Sequence, residues 1–446
     1  MDLTQGNIRR QLVKMAIPLL IGSLLQQLYN TIDAAVIGRY VGKTAFAAIG
    51  ISGAVMNLFV FIIVGACTGV SIYLGQNYGS QNMKRFRNAY FLSVLWGLIL
   101  TILLSVVSLG LLNKIVGLVN TPKELVDSTT EYLRIIFWGL LATYLYNYLT
   151  SVLRAVGNTL VGLVVLAGSI IVNLILDMLF IAYLGLGVAG AAYATVISQV
   201  ISVVFCYIYI RNNYSDLAFH KEDMYWDQSV VHQISMFAFV SALHQSSIYI
   251  GRILIQGAVN NVGVDVIAAY TAATRIEGFI NAFGSSGASA ISILVAQNLG
   301  ARNEKRLKES VKISLELMII LGIVLSLGIA IFSKYSVIAV MGTRDQRLIE
   351  YGVIYLRIIS IFYVLNYIGN VFVGYFRGIG KIDLTLYGTM LHISFRVLMT
   401  YRFIDVFGIS TVAWATGAGW IIVTSFHIIA YQMTKRSMSF SITSET

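Results

Sequence analysis

Twelve long runs of apolar residues follow one another along the chain, and they restrict its fold more than any other feature. A helix needs about 20 apolar residues to cross a bilayer, and each run is about that long or longer. Because the runs are continuously apolar and do not alternate with polar residues, they predict membrane-spanning helices and not the strands of a membrane barrel. The predicted spans are about 12–38, 44–75, 89–112, 131–153, 160–183, 188–210, 229–259, 265–296, 311–332, 350–375, 384–403 and 410–433.

The composition agrees with a membrane protein and excludes an ordinary soluble domain. Charged residues make up 11% of the chain, whereas a soluble domain contains about 25%. The spans and their short loops use almost all of the 446 residues. The two cysteines, Cys67 and Cys206, lie inside apolar runs without a CxxC motif or a Cys/His cluster, so we expect neither a disulfide nor a zinc site.

The basic residues are unevenly distributed between the two sides of the predicted spans. The net charge is +11, but the lysines and arginines are scattered over short loops, so we expect no nucleic-acid partner. With the N-terminus inside, 18 of them lie on the inner face and 8 on the outer face, and five lie within spans or at their ends. Because basic loops stay in the cytoplasm, we predict that both termini are cytoplasmic.

An internal repeat divides the chain into two similar halves. Four matches at nearly the same offset are difficult to explain by chance. Three pairs of segments carry the repeat most clearly: GQNYGSQNMKRFRNA (75–89) with AQNLGARNEKRLKES (296–310) at an offset of 221, LRAVGNT (153–159) with FRGIGKI (376–382) at 223, and GVAGAAYAT (187–195) with GISTVAWAT (408–416) at 221.

Each half contains six spans, which is an even number, so the two halves should have the same orientation in the membrane. They should be related by a pseudo-twofold axis along the membrane normal. We therefore predict an all-α integral membrane protein in which two six-helix bundles surround a central cleft, an architecture suited to alternating access. The predicted parts are an N-terminal bundle at 1–210, a cytoplasmic linker at 211–228 and a C-terminal bundle at 229–446.

Polar residues inside the spans of the first half are candidates for function, because they are costly in a bilayer. Span one carries a polar stripe at steps of three or four residues, ending at Asp33, which either binds a proton or a cation or pairs with an arginine. In span five, Asn173 and Asp177 lie four residues apart on one helix face. Their oxygens suit Na⁺, and the carboxylate alone suits a proton. The alternative is a hydrogen-bonded cluster between helices.

The second half has a different set of polar residues. At an offset of 221, Leu254 and Leu398 stand where the first half has Asp33 and Asp177. Span eight carries Glu277, which either faces the cleft or pairs with Arg275 or Arg252. We interpret His244 as a satisfied polar residue and not as a proton relay. Residues that we expect to line a substrate cavity are Gln26, Tyr29, Asn30, Glu277 and Asn281.

The chain contains no nucleotide-binding loop and no hydrolase signature, so an ion gradient is the expected source of energy and no enzyme activity is expected. At this point the sequence resembles the multidrug and toxic compound extrusion (MATE) transporters, in the bacterial branch that includes DinF and the MepA-type exporters. The segments that carry the resemblance are QQLYNTIDAAVIGRYVG (26–42), the two copies of the 75–89 motif, LRAVGNT, VNLILDMLFI (172–181), GVAGAAYAT and AATRIE (272–277).

The resemblance implies an ion-coupled antiporter that exports amphipathic organic cations in exchange for H⁺ or Na⁺. It implies a coupling site formed by Asp33, Asn173, Asp177 and Thr195, with no other cofactor. We expect a monomer that lies in the bilayer of the bacterial inner membrane and binds small organic cations. The alternatives are a flippase for lipid-linked oligosaccharides of the same superfamily, and a membrane protein that does not transport.

Overall fold

A computed structural model describes the backbone of residues 1–119, 121–217, 220–342 and 345–443. It describes the side chains in these ranges except those of residues 30–39, 43–46 and 436–443.

The described part of the chain is helical throughout and contains no strand. Three short 3₁₀ helices cover Lys123–Leu125, Ser215–Leu217 and Lys221–Asp223, and a π-helix covers Met178–Tyr183. The α-helices are α1 (Ile8–Tyr40), α2 (Lys43–Gly79), α3 (Met83–Gly110), α4 (Leu112–Leu118), α5 (Val126–Ala155), α6 (Leu160–Asp177), α7 (Gly187–Asn213), α8 (Gln228–Asn260), α9 (Val264–Gly300), α10 (Glu304–Met341), α11 (Gln346–Ser360), α12 (Tyr363–Gly378), α13 (Ile382–Phe407) and α14 (Ile409–Thr443).

Each of the twelve predicted spans falls on a long helix or on a broken one. Span five is α6 together with the π-helix, and span ten is α11 and α12, which meet at a bend of 54°. Among the described residues, nine helices are long and apolar enough to cross a bilayer, and the bent pair gives a tenth. Helices α8 and α13 are not among these, and α13 carries Arg396 and Arg402. The prediction of an all-α, multi-pass membrane protein is confirmed.

The duplicated motif after α2 and α9 forms the same helix–turn–helix in both halves. Gln81 and Arg302, 221 residues apart, both adopt a left-handed backbone, with φ of 57° and 54°. The Asn82 side chain accepts the backbone N–H of Arg85 and so caps α3. The Asn303 side chain caps α10 in the same way. Asparagine satisfies the unpaired N–H groups that begin a helix, which explains why both copies of the repeat carry it.

The described chain divides into two compact units. Unit 1 contains residues 1–2 and 17–242, and unit 2 contains residues 3–16 and 243–446. Helices α1 and α8 therefore each contribute one part to each unit. Within unit 1, Gly65 on α2 lets α8 approach closely, because a Cβ at this position would lie 2.7 Å from the Cα of Ala242.

The segment between α7 and α8 is docked on unit 1. Arg87 on α3 donates from Nε to Asp223 Oδ2 at 2.7 Å, and Asp223 is 2% exposed. Asn88 donates to the carbonyl oxygens of Asp223 and Tyr225 at 2.8 and 2.9 Å. Burial by itself raises the pKa of Asp223, but the hydrogen bonds from Arg87 and the His220 backbone, with the charge of Arg87, hold that pKa below its usual range. The linker is thus fixed to the first unit.

The N-terminal residues are docked on unit 2 by Arg306 of α10. The guanidinium donates to the carbonyl oxygens of Leu3, Gln5 and Gly6 at 3.0, 3.0 and 2.7 Å. It also donates to Gln11 Oε1 at 2.6 Å. Leu3 is fully buried. One guanidinium therefore binds three carbonyl oxygens of the non-helical segment before α1 and one side chain in the first turns of α1.

Loss of the Arg87–Asp223 contact should destabilise unit 1. We expect Asp223→Asn to lower the free energy of unfolding by about 1–3 kcal/mol, because a charged hydrogen bond to a buried group is lost. Since the pKa of Asp223 is lowered, this contribution is complete above pH 3.8 and is lost only as the pH falls through the lower folded-state value. Thermal unfolding of the purified protein at pH 5–8 should therefore show a constant difference. Exposed Asp216→Asn is the control, and an equal effect there would contradict the assignment.

Loss of the Arg306 guanidinium should release the N-terminal segment without unfolding unit 2. In Arg306→Ala, backbone amides in residues 3–11 should exchange hydrogen at least about tenfold faster, because charged hydrogen bonds are removed. The neighbouring exposed Lys305→Ala is the matched control and should leave the exchange unchanged. Hydrogen exchange measured by mass spectrometry reports both, and equal protection in the two variants would contradict the docking role.

Candidate functional site

Unit 1 contains a buried carboxylate next to a buried amide on α6. Asn173 is 3% exposed and Asp177, one turn later, is fully buried. The Tyr29 hydroxyl on α1 donates to Asn173 Oδ1 at 2.6 Å. The structure thus brings together one residue predicted for ion coupling and one predicted for the substrate cavity. Carboxylate and amide oxygens at such a place suit a hard cation or a proton.

The other predicted residues of this site are placed less closely or fall outside the description. Thr195 lies on α7, which packs against α6, but its hydroxyl donates to the Ala191 carbonyl of its own helix at 3.0 Å. Gln26 lies on an exposed position of α1. The side chains of Asn30 and Asp33 lie outside the residues that the structure describes.

A π-helix begins directly after Asp177. The Leu184 N–H donates to the carbonyl of Leu179, five residues earlier, at 2.9 Å. Such π segments are rare and are often found at functional sites, because they change the direction of neighbouring side chains within a helix. The apolar sequence of Met178–Tyr183 does not distinguish this segment from an ordinary helix, so sequence reasoning missed it.

Unit 2 contains a buried carboxylate within a span, Glu277 on α9, which is 8% exposed. It accepts hydrogen bonds from the hydroxyls of Tyr355 at 2.9 Å and Tyr363 at 3.5 Å. In the described part of the chain it makes no direct ion pair with Arg275 or Arg252, so the predicted pairing is replaced by two tyrosines. Hydroxyl donors of this kind favour the ionised form of a carboxyl group.

Beyond Glu277, a seam of amides connects α9 with α12. Asn366 donates to Asn281 Oδ1 at 3.0 Å, and Asn370 donates to Asn366 Oδ1 at 3.1 Å. Gly284 leaves room for this chain, because a Cβ there would lie 2.9 Å from Asn370 Nδ2. Asn281, predicted for the substrate cavity, is therefore part of a hydrogen-bonded helix contact.

An arginine completes the cluster in unit 2. Arg396 on α13 donates to the Tyr270 hydroxyl at 3.4 Å. The Tyr270 ring meets the Tyr355 ring edge to face, with centroids 5.7 Å apart. The charge of Arg396 acts electrostatically on Glu277. In the sequence, Arg396 is only one of the five basic residues that lie within spans or at their ends. Nothing in the sequence distinguishes Tyr355 and Tyr363 from the other tyrosines, of which the chain has 26 in all.

His244 lies in a separate polar contact of unit 2. An arginine can only donate, so the 3.0 Å contact of Arg377 Nη2 with His244 Nδ1 requires an unprotonated Nδ1. The Nε2–H then donates to Thr389 Oγ1 at 2.9 Å. Both ring nitrogens are occupied in the neutral tautomer, which agrees with the interpretation of His244 as a satisfied polar residue.

The described residues contain no group of three or more His, Cys, Asp and Glu side chains that could hold a metal ion. Within the predicted spans, the described residues include two buried carboxylates, Asp177 in unit 1 and Glu277 in unit 2. Asp177 lies with an amide on its own helix, and Glu277 lies among tyrosines and near a guanidinium.

Comparisons with known proteins agree with this architecture. The model of the MatE family matches residues 18–179 and 241–402, two segments whose ends lie 223 residues apart. The chain is 28% identical over 383 residues to a Bacillus subtilis (strain 168) protein named "Probable multidrug resistance protein YpnP", covering 85% of this chain and 84% of that protein. It is 22% identical over 380 residues to the "Multidrug export protein MepA" of Staphylococcus haemolyticus (strain JCSC1435), covering 84% and 83%.

Among solved structures, the fold is similar to that of a MOP superfamily transporter from Pyrococcus furiosus Vc1 (DSM3638). The TM-score is 0.91 at 22% identity, and the alignment covers 98% of each chain. A multidrug resistance MATE family transporter in an outward-facing conformation gives a TM-score of 0.90 at 22% identity, again over 98% of each chain. Since the family model matches most of the chain in two copies, this multi-pass membrane protein belongs to the MatE family, the MATE transporters.

Proposed function

We propose that this protein is a secondary active antiporter that exports amphipathic organic cations in exchange for H⁺ or Na⁺. The observation that carries the proposal is the fully buried Asp177, one turn from Asn173, whose amide oxygen is held by Tyr29 of α1. The names of the relatives YpnP and MepA, a probable multidrug resistance protein and a multidrug export protein, support multidrug export. We further propose that the protein acts as a monomer in the bacterial inner membrane, with both termini in the cytoplasm.

The proposed coupling ion binds at Asp177 with oxygen atoms of Asn173, Thr195 and Asp33. A carboxylate that has been removed from water is costly in its charged form, so it gains much from a proton or from Na⁺. Because the Tyr29 hydroxyl on α1 is hydrogen-bonded to Asn173 on α6, ion binding on α6 changes the environment of α1.

An ion moves a transport equilibrium only if it binds one conformation more tightly than another. The contact between α1 and α6 supplies such a difference, since the two helices can share the ion in one arrangement and not in another. The candidate cavity residues Gln26, Tyr29 and Asn30 lie on α1, the same helix as Asp33, so drug binding and ion binding act on a common element. Alternating access by the two similar halves then couples ion entry to drug exit.

Replacement of Asp177 should test this proposal most directly. We expect Asp177→Asn to abolish ethidium efflux driven by an imposed pH or Na⁺ gradient in proteoliposomes, because the neutral amide binds neither ion tightly. Asp33→Asn should have the same effect. Asp265→Asn, at an exposed position at the start of α9, is the control. Efflux at wild-type rates in both Asp177→Asn and Asp33→Asn would reject the coupling site and make Glu277 the leading candidate.

Loss of the Tyr29 hydroxyl should weaken the affinity for the ion and leave the maximal transport rate nearly unchanged. In Tyr29→Phe one hydrogen bond of about 0.5–1.5 kcal/mol to Asn173 is lost. The ion concentration for half-maximal efflux should therefore rise about two- to tenfold, with little change in the maximal rate. Exposed Tyr193→Phe on α7 is the control. An unchanged ion dependence in Tyr29→Phe would show that this contact is not part of the coupling site.

A further inference from the structure

Helices α6 and α13 are equivalent in the internal repeat, and their exposed and buried residues coincide at an offset of 223. Ile175 is 62% exposed and Leu398 is 64% exposed, while Asp177 and Thr400 are both fully buried. Other coinciding pairs include two that are buried, Val165 with Gly388 and Ile181 with Ile404, and two that are exposed, Val164 with Tyr387 and Met178 with Tyr401.

The structure therefore moves the sequence-based pairing of Asp177 from Leu398 to Thr400. The offset returns to 221 at Gly187 and Gly408. Unit 1 thus has two additional residues between Ile181 and Gly187, and the π-helix Met178–Tyr183 ends within this segment. An insertion accommodated by a π-helix explains why a single offset along the whole repeat gives the wrong partner.

The corrected alignment makes Arg396 the repeat equivalent of Asn173, although Arg396 is only partly buried where Asn173 is buried. The equivalent positions of the two units are then an amide with a carboxylate in unit 1, and a guanidinium with a hydroxyl in unit 2. The formal charge of the pair changes from −1 at Asn173 and Asp177 to +1 at Arg396 and Thr400. Unit 1 can bind a cation at this position, whereas unit 2 carries a positive charge on the Arg396 side chain.

The surroundings of Arg396 show which group this charge serves. Its guanidinium donates to Tyr270, the Tyr270 ring meets the Tyr355 ring, and Tyr355 donates to Glu277. The equivalent of Tyr355 at an offset of 223 is Tyr132, whose hydroxyl contacts the Met56 sulfur at 3.7 Å. Unit 1 thus has a thioether where unit 2 has a carboxylate. Tyr355 on α11 and Tyr363 on α12 contact Glu277 directly, and the charges of Arg396 on α13 and Arg252 on α8 act on it electrostatically, as does Tyr270 on α9 itself.

We propose that Arg396 is a built-in cation that replaces the coupling ion in unit 2 and keeps Glu277 ionised throughout transport. This inference rests on the proposed ion coupling at Asp177. A buried carboxylate is stabilised by a nearby positive charge and by hydroxyl donors, and Arg396, Tyr355 and Tyr363 supply both. Glu277 then stays ionised without binding a proton or Na⁺, and the exchanged ion is bound by unit 1 alone.

The test observes the protonation of Glu277 directly, by infrared spectroscopy of the carboxyl C=O stretch in the purified protein at pH 7. The wild-type spectrum should contain no protonated-carboxyl band that disappears in Glu277→Gln. In Arg396→Gln the buried Glu277 carboxylate loses the nearby positive charge and should take up a proton. A new band should therefore appear, together with uptake of about one additional proton per protein. This band should be absent from the Arg396→Gln/Glu277→Gln double variant.

Arg396→Lys is the matched variant, since it keeps the positive charge, and its spectrum should resemble that of the wild type. A purely structural role of Arg396 predicts no new carboxyl band in Arg396→Gln, and that result would overturn the proposal. So would a wild-type band that Glu277→Gln removes, a comparison that does not depend on the folding of any arginine variant. The readout is independent of transport, so failure of Asp177→Asn to block efflux would reject the coupling site without deciding the state of Glu277.

Discussion

Every polar group that a bilayer-spanning helix buries must find its partner inside the protein, because the hydrocarbon offers none. This constraint explains the arrangement of both candidate sites. Asn173 is held by a tyrosine from α1, and Glu277 by tyrosines from α11 and α12. Each functional side chain is therefore also a connection between helices. In the proposed mechanism, a change in its protonation or ligation changes a helix contact, which is the requirement for coupling an ion to a conformational change.

The two halves satisfy this constraint with the same scaffold and different chemistry. Their helix–turn–helix motifs share left-handed residues and asparagine caps at positions 221 apart. Inside the spans the pairs differ, with Asn173 and Asp177 in one unit and Arg396 and Thr400 in the other. The two halves thus share the backbone conformation of their turns and helix caps. They differ in the buried side chains of their candidate sites.

The sequence predicted the helices well, because continuous apolar runs determine them locally. It also singled out Asn173 and Asp177, since a carboxylate and an amide four residues apart on an apolar helix have a recognisable pattern. Both are buried in the structure, and their part in ion coupling stays a prediction. It did not predict the partners Tyr355, Tyr363 and Arg396, because each lies more than 75 residues from Glu277 along the chain and has no local signature. The pairing of Asp177 with Leu398 was wrong because the π-helical insertion changes the offset between repeats, and hydropathy does not detect a change of two residues.

The contacts of His244 restrict the groups that can carry protons in unit 2. Protonation at Nδ1 would place an imidazolium against the guanidinium of Arg377, which lies 3.0 Å away and cannot accept a hydrogen bond. The arginine would have to leave before the proton could bind, and two like charges in a buried site are strongly unfavourable. His244 is therefore kept neutral by its own contacts. If Arg396, held by Tyr270, keeps Glu277 ionised as proposed, neither Glu277 nor His244 exchanges a proton during transport.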